Sequence, residues 1–229
     1  MTEFDYYETA RRLMVSEQIE RRGIKNPRLL DTLRKVPRHL FVSAELEKKA
    51  YDDDPLPIGA GQTISQPFIV ALMTSLLSLE GNENILEIGT GSGYQAAILA
   101  NLAKTVHTIE RHAELAEHAK SVLFALGLDN VFVHLGDGSL GWPEAAPYQA
   151  IIVTAAAPSP PAPLLEQLAP ENGRMVIPVG SFPEQDLQVW QMENGRLNND
   201  SILPVAFVPM RGMYGWKEEE WKNRSDSPA

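Results

Sequence analysis

Apolar segments that alternate with helical segments are the feature that most constrains the fold of this chain. The apolar segments are predicted strands: Asn84–Gly89, Thr105–Glu110, Asn130–Leu135, Tyr148–Thr154 and Arg174–Val179. The stretches between them carry helical patterns, over Tyr94–Ala103, Ala113–Leu126 and Pro163–Leu168. Apolar strands joined by helices are typical of a parallel sheet that is covered on both faces. The sequence therefore predicts an α/β fold.

The last part of the chain has a different pattern. Leu187–Met192 and Ile202–Pro209 are predicted strands with no helix between them, and Asn194-Gly195 is a hairpin dipeptide. We therefore expect an antiparallel pair to close an otherwise parallel sheet. Residues 217–229 are polar, and we expect them to be loosely held.

The segment before the alternating region is predicted to be helical. Residues 8–22 carry an amphipathic pattern that Gly23 ends, with apolar positions at Ala10, Leu13, Met14 and Ile19. A second helix begins after the cap Asn26-Pro27 and runs to about Val36. We expect one domain over residues 1–229, with a helical cover (1–55), a core (56–212) and a polar tail (213–229).

Composition excludes several classes of protein. The 229 residues include no cysteine, so disulfides, thiolate nucleophiles and cysteine metal sites are excluded. A formal net charge of −10 disfavours non-specific binding to nucleic acid, which depends on neutralising phosphates. The five histidines show no metal-ligand spacing, so no metal site is expected. The charged amino-terminal segment and the lack of a long apolar run predict a cytoplasmic protein that contacts no membrane.

A glycine-rich turn predicts a binding site for a nucleotide-like cofactor. Glu87-Ile88-Gly89-Thr90-Gly91-Ser92-Gly93-Tyr94 runs from a predicted strand into a helix. Its position at the carboxyl end of the first strand of the alternating region is where open α/β sheets bind ligands. Glu110 ends the next strand and could accept hydrogen bonds from ribose hydroxyls. Gly91-Ser92-Gly93-Tyr94-Gln95-Ala96 also satisfies the permissive dinucleotide fingerprint, so this turn alone leaves two cofactor classes open.

Two acidic positions favour S-adenosylmethionine over a dinucleotide. The Glu87 carboxylate precedes the glycines, where it would repel a pyrophosphate but suits an amino or sulfonium group. Asp137, in Gly136-Asp137-Gly138, could accept a hydrogen bond from an adenine amino group, and Gly138 permits close approach. The competing interpretation is that the glycines serve only tight turns and that the acids cap helices.

A second candidate loop, Gly61–Pro67, lies outside the nucleotide unit. Ser65 or Gln66 is the expected N-cap of a helix that Pro67 opens, so Thr63 and Ser65 could simply satisfy free amides at the helix start. The same free amides and the helix dipole could instead hold a carboxylate. Spacing alone does not separate these interpretations.

Five segments resemble one family, the protein-L-isoaspartate O-methyltransferases. They are AYDDDPLPIGAGQTISQP (Ala50–Pro67), ILEIGTGSGYQAAILA (Ile85–Ala100), GDGSLGW (Gly136–Trp142), IIVTAAAP (Ile151–Pro158) and VIPVG (Val176–Gly180). The resemblance implies a Rossmann-like class I fold with a mostly parallel, seven-stranded sheet. It also implies methyl transfer from S-adenosylmethionine to the α-carboxylate of L-isoaspartyl residues in damaged proteins and peptides, which starts repair through a succinimide.

The resemblance also assigns roles to single residues. The family's active-site serine falls on Ser65, and the cofactor positions fall on Gln62, Thr63, Ile64, Glu87, Gly89, Gly91, Glu110, Asp137 and Gly138. Ala206 stands where the family commonly has an arginine in the last strand. The alternatives are a methyltransferase for another substrate, a nicotinamide-dependent dehydrogenase and a non-catalytic cofactor-binding module.

Overall fold

Nine strands are present in the computed structural model, which describes residues 3–181 and 183–225 and the side chains of residues 6–181 and 183–221. The strands are β1 (Leu56–Gly59), β2 (Gln62–Ile64), β3 (Asn84–Ile88), β4 (Thr105–Glu110), β5 (Val131–Leu135), β6 (Ala150–Val153), β7 (Arg174–Ser181), β8 (Glu184–Glu193) and β9 (Arg196–Val205). The first two form a separate short hairpin, and the other seven form one sheet in the order β5-β4-β3-β6-β7-β8-β9.

The sheet is parallel from β5 to β7, and both β8 and β9 pair antiparallel. The chain order reverses at β3, whose neighbours are β4 on one side and β6 on the other. In an open α/β sheet this reversal opens a crevice at the carboxyl ends of the strands. The α/β prediction and the predicted antiparallel closure are therefore confirmed.

The hairpin between β8 and β9 turns at Asn194 and Gly195, whose φ angles are 52° and 74°. This is the turn that the dipeptide predicts, because both central residues of such a turn need a positive φ. The predicted last strand, Ile202–Pro209, was placed too late in the chain. Strand pairing begins directly beside a two-residue turn, with Glu193 opposite Arg196. The polar residues from Arg196 onward therefore already belong to β9.

Seven α-helices accompany the strands in the described ranges. They are α1 (Glu3–Leu13), α2 (Pro27–Lys35), α3 (Pro67–Leu76), α4 (Tyr94–Ala100), α5 (Ala113–Ala125), α6 (Ala162–Glu166) and α7 (Glu218–Ser225). Alternating residues of the central strands face opposite sides of the sheet. On one side Ile85 and Ile152 pack with Met73 and Leu99 from α3 and α4. On the other side apolar strand residues pack against Leu164 of α6.

The amino-terminal helices share one hydrophobic cluster with α3, α4 and α5. The first predicted helix is confirmed but begins earlier, and α1 continues as a π-helix over Met14–Glu20 before Gly23, whose φ is 97°. The side chain of Leu13, expected in the buried stripe, is 54% exposed, whereas Val15 is fully buried. The wider π turn shifts the buried face relative to an ideal 3.6-residue pattern. The division into cover, core and tail stays a prediction.

The carboxyl-terminal segment contains a further helix. Residues 218–225 form α7, and the Trp216 and Trp221 rings meet edge to face with centroids 5.8 Å apart. That residues 217–229 are loosely held stays a prediction; residues 226–229 lie outside the described residues. Among the helices of the described part, none combines the length and apolar character needed to cross a bilayer.

Candidate active site

Three adjoining cavities lie at the carboxyl ends of the parallel strands. The central cavity, about 610 Å³, is lined by Gln62–Ser65, Gly89–Ser92, Glu110 and Thr154 among others. The β4 cavity, about 480 Å³, is lined by Glu110–His112, Gly138 and Pro209–Arg211 among others. The third, about 1630 Å³, is the Phe207 groove, lined by residues that include Ile69, Pro204–Pro209 and Trp221.

The central cavity connects the other two through shared walls. It shares Gln62, Gly89, Glu110 and Ala155 with the β4 cavity. It shares Thr63, Ser65, Thr154 and Val208 with the Phe207 groove. An elongated ligand could therefore occupy the first two cavities and meet a second ligand from the groove beside Ser65.

The glycine turn brings backbone to the cavity wall. Gly89 has a φ of 94°, and a Cβ there would collide with the Thr154 hydroxyl. That hydroxyl donates a hydrogen bond to the Gly89 carbonyl oxygen at 2.7 Å. A side chain at this position would be strained and would break the contact between the ends of β3 and β6. Glycine is therefore required at Gly89 for the close packing of the turn.

Glu110 is held as a fixed acceptor at the end of β4. Its Oε1 accepts hydrogen bonds from the amides of Arg111 (2.8 Å) and His112 (2.9 Å), and its Oε2 accepts one from Gly91 (2.9 Å). A carboxylate oxygen can accept more than one bond, so Oε2 keeps capacity for a ligand hydroxyl. The Gly91 amide is already used, so it is not free to bind a pyrophosphate. This arrangement fits a ribose better than a dinucleotide phosphate.

Glu87 is a fully buried carboxylate on the sheet face that carries Ile85. Among the described residues, neither of its oxygens has a hydrogen-bond partner at normal distance. Burial raises the pKa of Glu87 to about 8; the Thr108 hydroxyl offsets part of this rise and the charge of Glu110 adds to it. A buried carboxylate with so little hydrogen-bond compensation beneath the glycine turn fits a cationic ligand, because a positive charge nearby would favour its ionised form.

Asp137 has partners other than those expected. Its Oδ1 accepts bonds from the Ser139 amide (2.9 Å) and hydroxyl (2.7 Å), and its Oδ2 accepts one from the Met213 amide (2.8 Å). It does not line any of the three cavities. The carboxylate therefore ties the segment after β9 to the loop after β5. Gly138 does line the β4 cavity, and a Cβ there would come within 2.6 Å of Ile88 Cγ2.

The helix that follows Ser65 is capped by another residue. Gln66 is the N-cap position of α3, but its side chain makes no capping bond. Asp53 Oδ1 instead accepts a hydrogen bond from the Phe68 amide at 3.2 Å, while Gln66 Nε2 donates to Asp53 Oδ2 at 2.8 Å. Gln66 is thus one of the two N-cap residues that the sequence offered, but the interpretation in which Thr63 and Ser65 satisfy the free amides is not supported. A carboxylate already occupies the helix start, so it is not a vacant anion site either.

Most of the predicted site residues come together. Gln62, Thr63, Ile64, Ser65, Gly89, Gly91 and Glu110 line the central cavity, and Gly138 lines the β4 cavity. Glu87 lies behind the wall, and Asp137 holds the segment after β9 through the Met213 amide. Sequence reasoning missed Thr154 and Ala155, although residues that follow a parallel strand are expected at this edge. It also missed Met210 and Arg211, which line the β4 cavity where the Met210 amide donates a hydrogen bond to the Ala156 carbonyl oxygen.

Comparisons with known proteins agree with this architecture. Residues 9–214 match the family model for protein-L-isoaspartate(D-aspartate) O-methyltransferase. The protein-L-isoaspartate O-methyltransferase of Trichlorobacter lovleyi is 54% identical over 212 residues, which cover 92% of this chain and 97% of that relative.

Two solved structures have the same fold. A protein-L-isoaspartate O-methyltransferase structure superposes with a TM-score of 0.81 at 27% identity, covering 89% of this chain and 67% of that one. A protein-L-isoaspartate O-methyltransferase from Plasmodium falciparum, in complex with S-adenosyl-L-homocysteine, has a TM-score of 0.77 at 25% identity, covering 88% and 98%. Sequence and structure together place this chain in the protein-L-isoaspartate O-methyltransferase family, whose members are S-adenosylmethionine-dependent enzymes of the class I methyltransferase fold.

Proposed function

We propose that this enzyme transfers the methyl group of S-adenosylmethionine to the α-carboxylate of L-isoaspartyl residues in damaged proteins and peptides, with Ser65 orienting that carboxylate. The observation that carries the role of Ser65 is its position at the junction of the central cavity and the Phe207 groove. Within the described part of the chain its hydroxyl has no hydrogen-bond partner, so the hydroxyl is available to a substrate.

The cofactor would extend through the β4 and central cavities. Glu110 would accept hydrogen bonds from the ribose hydroxyls, and Gly138 would allow the adenosyl group to approach the sheet. Glu87 would supply the counter-charge for the cationic end of the cofactor in the central cavity. These assignments rest on the fixed carboxylate of Glu110 and on the buried carboxylate of Glu87, which has no hydrogen-bond partner at normal distance among the described residues.

The reaction needs positioning more than acid–base chemistry. A carboxyl group with an ordinary pKa near 4 is ionised at neutral pH, so its oxygen can attack the methyl carbon directly. The new O–C bond forms as the C–S bond breaks, and the electron pair of that bond stays on sulfur, which becomes neutral. No proton moves in this step. Holding two reactants in line can lower a barrier by roughly 7–11 kcal/mol. The resulting methyl ester closes to a succinimide without enzymatic help.

The Phe207 groove is the proposed binding site for the peptide. Its walls are apolar or neutral, and among the residues whose side chains are described no charged one lines it. The substrate carboxylate would therefore meet neutral donors such as the hydroxyls of Ser65 and Thr63. A salt bridge would hold the anion more tightly but would also lower its nucleophilicity. The apolar walls leave room for peptides of varied sequence.

A methylation assay with matched peptides tests this function. The wild-type enzyme and labelled S-adenosylmethionine are incubated with an isoaspartyl peptide and with the same peptide containing ordinary aspartate. We expect base-labile methyl incorporation only with the isoaspartyl peptide. Equal incorporation into both peptides, or none into either by an enzyme that binds the cofactor, would refute the proposed substrate. Cytoplasmic localisation stays a prediction from the sequence.

A further inference from the structure

Arg38 is a buried cation close to the candidate active site. Its side chain has no exposed surface, and no carboxylate of the described residues lies within ion-pair distance of it. Burial lowers the pKa of Arg38 to about 10, so the guanidinium remains charged at neutral pH. Burying a charge without a paired carboxylate is unfavourable and needs compensating hydrogen bonds. A side chain that only filled space here would be apolar.

The guanidinium of Arg38 joins three segments of the chain. Its Nε donates to the Ala50 carbonyl oxygen at 2.6 Å, and its Nη2 donates to the Ser65 carbonyl oxygen at 2.8 Å. Its Cζ lies 4.9 Å from the centroid of the Tyr94 ring. Ser65 belongs to the loop of the proposed substrate site, and Tyr94 is the first residue of the helix after the glycine turn.

From these contacts we propose that Arg38 is a positioning residue, which fixes the backbone of Ser65 relative to the glycine turn that holds the cofactor. The fork-shaped guanidinium can bond both carbonyl oxygens while its carbon lies over the Tyr94 ring. The Ser65 side chain makes no hydrogen bond to any other described residue, so its placement depends on its backbone. Arg38 lines none of the three cavities, so it acts through Ser65 and not on the substrate.

This inference rests on the role proposed for Ser65, and variants of Arg38 test it. In Arg38→Met we expect kcat for the isoaspartyl peptide to fall roughly 10- to 100-fold, because small misplacements of a reacting group have effects of this size. The dissociation constant of S-adenosylhomocysteine should change less than about threefold, since no cofactor contact is lost. Arg38→Lys should recover part of kcat, because lysine keeps the charge and can donate to one carbonyl oxygen.

Arg174 offers a matched control. It also spans two segments, with Nη1 donating to the Leu76 carbonyl oxygen at 3.0 Å and Nη2 donating to Gln191. It begins β7, at the end of the strand away from the cavities. We expect Arg174→Met to lose stability but to keep kcat. Equal kcat in Arg38→Met and Arg174→Met would overturn the proposal, as would loss of cofactor affinity in parallel with kcat.

Amide exchange provides a measurement that does not depend on turnover. If Arg38→Met does not fold, Arg38→Lys is compared with the wild type by hydrogen exchange over residues 62–66. Faster exchange confined to this loop supports the positioning role, and unchanged exchange contradicts it. Should the wild type bind cofactor but fail to methylate isoaspartyl peptides, the proposed substrate would be wrong, whereas this exchange comparison would still decide the role of Arg38.

Discussion

Asp53 caps the helix that follows the Ser65 loop, because its Oδ1 accepts a hydrogen bond from the Phe68 amide at 3.2 Å. Its Oδ2 receives two further donors, Gln66 Nε2 at 2.8 Å and Arg22 Nη1 at 2.9 Å. A helix start that is satisfied from outside the loop leaves the hydroxyl of Ser65 free. This separation of structural and chemical roles can be tested residue by residue.

Ser65→Ala should remove turnover without weakening the fold. We expect kcat for an isoaspartyl peptide to fall by at least about tenfold, the effect of losing one hydrogen bond worth ~1.4 kcal/mol in the transition state. The free energy of unfolding should change by less than about 0.5 kcal/mol, since no intramolecular bond is lost. Steady-state kinetics and urea unfolding measure the two quantities. A large loss of stability would assign Ser65 to the capping role after all.

Asp53→Ala, unlike Ser65→Ala, should lower the free energy of unfolding. Removing the cap of α3 and the partner of Gln66 and Arg22 is expected to cost about 1–2 kcal/mol of unfolding free energy. Asp53→Asn keeps an acceptor for the Phe68 amide and should recover part of that loss. Urea unfolding of the three proteins checks this order. Equal stability of Asp53→Ala and the wild type would show that the cap contributes nothing.

Glu87 should link cofactor binding to pH. Its pKa is raised to about 8 in the folded apoprotein, so the folded state holds the proton more tightly than the unfolded state. The apoprotein should therefore lose stability as pH rises from the ordinary value of 4.5 through about 8. A cationic cofactor favours ionised Glu87, so binding should release a proton below pH 8 and affinity should increase as pH approaches 8. Calorimetry at pH 6.5 and 8.5, in buffers that differ in ionisation enthalpy, measures both.

Glu87→Gln removes the titrating group and is expected to flatten this pH dependence while weakening cofactor affinity. Glu83 is a suitable control, because its carboxylate is also buried but accepts bonds from the Glu80 amide (2.6 Å) and the Gly81 amide (2.8 Å), in the loop just before β3. Glu83→Gln should leave the pH dependence of binding unchanged. The same pH dependence in Glu87→Gln and the wild type would rule out Glu87 as the linked group.

Asp137 is predicted to support the cofactor pocket through the segment that it holds, and not through the adenine amino group. Asp137→Ala frees the Met213 amide and should loosen the segment containing Met210 and Arg211, which line the β4 cavity. We expect it to weaken binding of S-adenosylhomocysteine and of its inosine analogue, which lacks the adenine amino group, by the same factor. Isothermal titration gives both affinities. If Asp137→Ala weakened binding of S-adenosylhomocysteine but not of the inosine analogue, Asp137 would instead contact the adenine amino group directly.

Trp221 should contribute to peptide binding, although it lies beyond the matched region that ends at residue 214. It lines the Phe207 groove but neither the central cavity nor the β4 cavity. Trp221→Ala should raise KM for an isoaspartyl peptide about tenfold, equivalent to ~1.4 kcal/mol, because an aromatic wall is lost. Trp221→Phe should raise it less, and cofactor affinity should stay constant in both. An unchanged KM in Trp221→Ala would exclude the tail from substrate binding.

The sequence by itself determined the elements that depend on neighbouring residues. The alternation of strands and helices, the Asn194-Gly195 turn and the glycine turn after β3 follow from local periodicity and backbone conformation, and all three are present. The positions that line the cavities were also predictable, because residues that follow parallel strands converge at one edge of the sheet. Glu110 was found in this way, whereas Ser65, which follows the antiparallel hairpin, was assigned from the family resemblance.

Only the tertiary structure decided which partner each polar group has. Asp53 caps a helix 15 residues away in the chain, Asp137 bonds an amide 76 residues away, and Arg38 bonds the Ser65 carbonyl oxygen 27 residues away. Such bonds depend on how distant segments pack, and local periodicity carries no information about that packing. The sequence therefore supplies the chemical groups, and the folded chain determines which of them remain free for a ligand.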